Sequence, residues 1–142
     1  MAALLAAGAV AASARADALA VKTGLWEVSA TGGGGGGAAG LIVRQVCVTE
    51  ATLRNGFGGA GVGRGCARTV VSSSATALEL HIACAGERQA SGSFTLRAAD
   101  AETVNGTIEL QMTSKDGTPL ALRRTMEGHW LAADCGDVKP RE

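Results

Sequence analysis

The chain has 142 residues, 13 basic and 13 acidic side chains and a formal net charge of zero, with 46% apolar residues but only 3% aromatic ones. A balanced charge without runs of Lys or Arg gives no electrostatic footprint for nucleic acid or an anionic membrane, and two Trp, two Phe and no Tyr leave few rings on which bases or sugars could stack. The length suits one domain, and because Ala and Gly supply much of the apolar content, its core is thin.

Residues 1–16 are an apolar, alanine-rich stretch ending in overlapping small-x-small steps, Ala12-Ser13-Ala14 and Ala14-Arg15-Ala16. Signal peptidase requires small side chains at those positions, so 1–16 reads as a removed signal peptide and 17–142 as a single β-rich domain; a later site, Ala18-Leu19-Ala20, is also present. No Lys or Arg precedes Arg15, so the usual basic start is missing. A membrane span needs about 20 apolar residues, which neither this stretch nor any later one provides. The mature chain is therefore expected to carry no transmembrane segment and to be periplasmic or secreted.

Residues 25–30 and 41–48 read as strands, separated by the glycines of 32–37 inside a Gly-rich loop at 32–40. Gly loses more conformational freedom on folding than any other residue, so this run is expected to lie in a surface loop and not in a strand. Residues 49–56 offer a Thr N-cap, a helix-compatible middle and an Asn-Gly stop, which predicts one short helix. A second Gly-rich loop at 56–65 leads to a strand at 66–73. In residues 76–84, Leu78, Leu80, Ile82 and Cys84 alternate with polar Glu79 and His81, the pattern of a half-buried strand. Phe94, Leu96 and Ala98 continue the period of two, and residues 103–113 set Val104, Ile108, Leu110 and Met112 against Thr103, Asn105, Thr107, Glu109 and Gln111. Asp116-Gly117 then signals a hairpin into 119–131, where Leu120, Leu122, Met126 and Trp130 share a face. The fold class is mainly β. About seven strands with one apolar face and one short helix are expected to form a curved antiparallel meander, a half-barrel or small barrel.

Four cysteines, Cys47, Cys66, Cys84 and Cys135, match an oxidising compartment and allow three pairings. Their gaps of 18, 17 and 50 residues lack the close pairs of a structural zinc site, so two disulfides are expected and no metal. The favoured pairing is Cys47 with Cys66, closing a Gly-rich loop, and Cys84 with Cys135, tying a central strand to the C-terminal segment.

Gly56-Phe-Gly-Gly-Ala-Gly61 matches a dinucleotide fingerprint in letters, but a helix precedes it and a strand follows, the reverse of the βαβ context that chemistry needs. Ser72, Ser73 and Ser74 lie near His81, yet no G-x-S-x-G elbow is present, and His81 and His129 both fall on polar faces. Asp134 and Asp137 flank Cys135 near the chain end, where turn-capping is the simpler role. No catalytic set can be named, so no enzyme activity and no cofactor are expected. Arg124 breaks the pattern by sharing the face of Leu120, Leu122, Met126 and Trp130, where its guanidinium needs a carboxylate, a carbonyl, water or a ligand. With Trp26 and Trp130 it forms the set of candidate ligand-binding residues.

Lys22-Thr-Gly-Leu-Trp-Glu-Val28, Arg44-Gln-Val-Cys-Val-Thr49, the mid-chain cysteine pair and Gly128-His-Trp-Leu-Ala-Ala-Asp-Cys-Gly-Asp-Val-Lys-Pro140 together resemble the bacterial secreted proteins grouped as domain of unknown function thirty-six seventeen. The resemblance spans about residues 22–140 and implies an exported bacterial protein, without implying an activity. The glycine tract stands where a methionine- and proline-bearing segment is common in that family. Two functions fit these features. The first is a non-enzymatic module that holds a small apolar ligand against the inner face of a curled sheet; the alternative is a structural or interaction protein of the bacterial envelope, whose partner is another protein meeting an edge strand or loop.

Overall fold

The structure, a computed structural model, describes residues 18–34, 40–54, 65–86 and 89–140. The leader at 1–16, most of the first Gly-rich loop and the second one with its G-x-G-x-x-G stretch lie outside the described residues. The elements are β1 (Gly24–Gly34), β2 (Ile42–Val48), α1 (Glu50–Arg54), β3 (Cys66–Ser73), β4 (Ala77–Cys84), β5 (Ala90–Asp100), β6 (Thr103–Thr113) and β7 (Pro119–Ala132). All strand pairs are antiparallel, in one seven-stranded sheet of order β2-β1-β7-β6-β5-β4-β3. The meander from β3 to β7 follows the alternation in the sequence. β1 then pairs with β7, so the N-terminal hairpin extends the meander, and the sheet stays unclosed with β2 and β3 as its edges.

Local chemistry sets the connections. Thr49 caps α1, its Oγ1 accepting from the Thr52 N–H at 3.1 Å. The β6–β7 hairpin turns at Gly117, φ 83°, with Thr118 N–H donating to Ser114 Oγ and to Asp116 Oδ1 at 3.1 and 3.0 Å. Ser74 Oγ closes the β3–β4 link by accepting from Ala77 N–H at 3.1 Å. Near the chain end, Asp134 Oδ1 accepts from Gly136 N–H at 2.7 Å, the turn role expected for that carboxylate.

Two expectations need correction. The glycine run does not stop the first strand: Gly32, Gly33 and Gly34 pair with Arg124, Arg123 and Leu122 of β7. At Gly32 the backbone takes φ 121° and a Cβ would lie 2.6 Å from the Arg123 carbonyl oxygen, so here glycine is what the pairing requires. The disulfides are Cys47–Cys135 and Cys66–Cys84, not the favoured Cys47–Cys66 and Cys84–Cys135. Cys47 and Cys66 sit on opposite edge strands, so joining them would require the sheet to close. Cys66 and Cys84 face each other directly in the β3–β4 register, while Cys47 lies beside the C-terminal segment through its bridge to Pro140. By loop-closure entropy, the bridges spanning 88 and 18 residues of sequence contribute about 4.5 and about 3 kcal/mol.

The core occupies one face. Following the register across the sheet, Trp26, Val28, Val48, Leu78, Leu80, Ile82, Phe94, Leu96 and Val104 all point inward and all are buried. Leu53 of α1 and Leu19 join this cluster from above the sheet. Gly128 lets Trp26 and Val104 pack across β7; a Cβ there would meet Val104 Cγ2 at 2.7 Å.

Candidate functional site

The inner face has two unlike regions. The sealed region runs diagonally from Trp26 to Ile82, both 0% exposed. It is closed by α1 and by residues 18–23, which are fastened through Ala20 N–H to Ala75 O at 2.8 Å and Lys22 N–H to Ala101 O at 2.9 Å. Trp26 and Trp130 are register partners in this region. Trp26 Nε1–H donates to Lys22 O at 2.9 Å and Trp130 Nε1–H to Thr23 O at 3.1 Å. The Lys22 ammonium, ion-paired with Glu102, sits 4.4 Å from the Trp130 ring centre. The two tryptophans thus fasten residues 18–23 to the sheet. Alternation gave no hint of this contact, because those residues belong to no periodic element.

The second region is the open corner, at the β6–β7 hairpin end of the same face. Leu122 pairs with Leu110 and Leu120 with Met112, all four half-buried. On β5, Gly92 and Ala90 stand opposite Leu110 and Met112, leaving a low floor between that wall and the Cys66–Cys84 bridge. Leu120, Leu122 and Met112 lie beyond the packed core cluster, whereas Ile108 and Leu110 touch it. Arg124 stands at the boundary, opposite Ile108 and Gly32. It is half-buried, and its Nε is buried with no hydrogen-bond partner among the described residues. The three candidate residues therefore separate: the structure brings Trp26 and Trp130 together and leaves Arg124 apart from them, between Gly32 and Ile108.

The outer face is polar. A depression of about 460 Å³ on this face is open and crossed by a row of hydroxyls, Thr31, Thr125, Thr107 and Thr95 in successive register. The next row, Ser29, Glu127, Asn105 and Arg97, mixes both charges and selects no single ligand chemistry. His81 and His129 are exposed on this face. Among the described residues, no group of three or more His, Cys, Asp or Glu side chains converges as metal ligands, and no helix is long and apolar enough to cross a membrane.

Residues 21–135 match the model of the family described as protein of unknown function DUF3617. The chain belongs to that family. The match runs from the segment that seals the Trp26 region to the second cysteine of the long disulfide, so it covers both regions of the inner face. No curated protein and no solved structure matches the chain.

Proposed function

We propose that the protein is an exported, non-enzymatic module that holds an apolar ligand in the open corner of its inner face. The observation that carries this is the uneven closure of that face: a thin core is completed over Trp26, Phe94 and Leu80 but stops short of Leu120, Leu122 and Met112. Large side chains set at core positions yet left half-covered form a wall suited to hydrocarbon. The test is titration with a neutral apolar fluorophore, N-phenyl-1-naphthylamine. Saturable 1:1 enhancement is expected, reduced at least about tenfold in Leu122→Glu and unchanged in Thr107→Ala on the outer face. Equal enhancement in both variants contradicts the site.

Two disulfides support export, since such bridges persist in oxidising compartments. Leu19, 4% exposed in the core, also bears on the leader: cleavage after Ala20 would strip it from the sealed region, whereas cleavage after Ala14 or Ala16 keeps it. N-terminal sequencing of exported protein is expected to begin at Arg15 or Asp17; a start at Val21 contradicts this reading.

The second reading, an envelope interaction protein, draws on the sheet edges. β2 exposes Ile42 and Val43 at 46% and 52%, and β3 exposes Val70 and Val71 at 46% and 59%. Apolar edge strands with no further strand beside them among the described residues accept added strands. Ile42→Lys and Val71→Lys would abolish such a partnership and leave fluorophore binding intact.

A further inference from the structure

Charge is sorted between the two faces of the sheet. The acidic residues of the strands, Glu27, Glu79, Asp100, Glu109 and Glu127, take outer-face register positions. The charged residues at inner-face strand positions are Arg44, Arg68 and Arg124, with no carboxylate among them. Arg44 and Arg68 lie on the edge strands and are exposed. Arg124 lies on β7, inside the sheet. Its chain neighbour Arg123 points outward and is matched by Glu109 at 2.8 Å. Arg124 points inward, and no described residue matches it.

A guanidinium partly withdrawn from water without a partner is unfavourable, and its surroundings here are Ile108 and then the paired leucines. What satisfies the cation and the wall together is an anion carrying a hydrocarbon chain. We propose that the open corner binds a long-chain carboxylate, its head on the guanidinium of Arg124 and its chain along Leu122, Leu110, Leu120 and Met112. A guanidinium presents pairs of parallel N–H donors that match the two oxygens of a carboxylate. From Arg124 to Leu120 the strand supplies about 13 Å of wall at the usual rise per residue. Arg44 and Arg68 add positive potential around the same face and draw the anion inward. This proposal rests on the apolar-ligand reading and adds the identity of the head group.

The experiment is calorimetric titration of the oxidised, lipid-free protein with palmitate and with hexadecanol, which keeps the chain and removes the charge. Palmitate is expected to bind at least about tenfold tighter, and Arg124→Met to bring the two within about twofold by weakening palmitate. Arg123→Met, on the outer face, is expected to keep the full preference. In the unaltered protein, the Arg124 Nε–Hε resonance is expected to shift on adding palmitate and not hexadecanol, a readout independent of whether the Met variant folds. Equal affinity for the two probes, a preference surviving in Arg124→Met, or an unmoved Arg124 resonance overturns the head-group assignment while the apolar module stands. If neither probe binds, the module reading itself fails.

Discussion

One face of one sheet is finished in one region and unfinished in another. Over the Trp26–Ile82 diagonal, each inward side chain meets a helix, the 18–23 segment or a neighbour across the sheet, and exposure falls to a few per cent. At the open corner, Leu120, Leu122 and Met112 obey the same alternation and reach only half-burial. Alternation therefore sets which face a residue joins, but not how far that face is covered. Coverage depends on what is laid across the sheet, and among the described residues that is one five-residue helix and a short segment.

The disulfides divide along the same line. Cys47–Cys135 fastens β2 near the sealed region, and Cys66–Cys84 borders the open corner. Replacing the first pair by Ala is expected to cost about 4.5 kcal/mol and the second about 3 kcal/mol, read from urea midpoints of the two variants. The reverse order would put the more important staple at the open corner. Non-reducing peptide mapping should return these two pairs and no cross-pairing.

Trp26→Ala should then lose about 4 kcal/mol, while Leu122→Ala loses about 1 kcal/mol, because only the first leaves a cavity in a closed core. Similar losses at both positions would mean the corner is as well packed as the diagonal. Gly128→Ala, whose new methyl must displace Val104, is expected to cost about 2 kcal/mol, visible as a lowered melting temperature.

The smallest effect belongs to the hairpin at the open end. Hydrogen bonds from Ser114 and then Thr118 hold the Asp116 carboxyl at about 2, below its ordinary 3.8. A carboxylate with a depressed folded-state value stabilises fully above 3.8 and loses that contribution as pH falls toward 2. Asp116→Asn should remove this part of the acid dependence, a small change because the group is fully exposed. An unchanged acid profile would show that the turn holds without its carboxylate.

Much of the fold was legible in residue order. The alternations at 76–84, 103–113 and 119–131 became β4, β6 and β7, and the Thr49 cap and the Asp116-Gly117 turn formed where their side chains indicated. What escaped was non-periodic or non-local. The 18–23 segment has no pattern, and its anchoring by the two indoles follows from tertiary contact alone. The glycines of β1 read as a breaker because propensity ignores a partner strand that needs close approach. The disulfide error was avoidable in part: a tight link between strands at 66–73 and 77–84 already sets Cys66 opposite Cys84. Arg124 stands out by its violation of the pattern, but that its Nε has no partner among the described residues required coordinates.

The central claim, that the inner face is closed over one region and receptive at the other, is tested most directly by methyl NMR during titration with N-phenyl-1-naphthylamine. Shifts are expected at Leu110, Met112, Leu120 and Leu122, with Leu80, Leu96 and Val104 unmoved. Perturbation centred on Leu80, Leu96 and Val104, or none at the four corner residues, would contradict it.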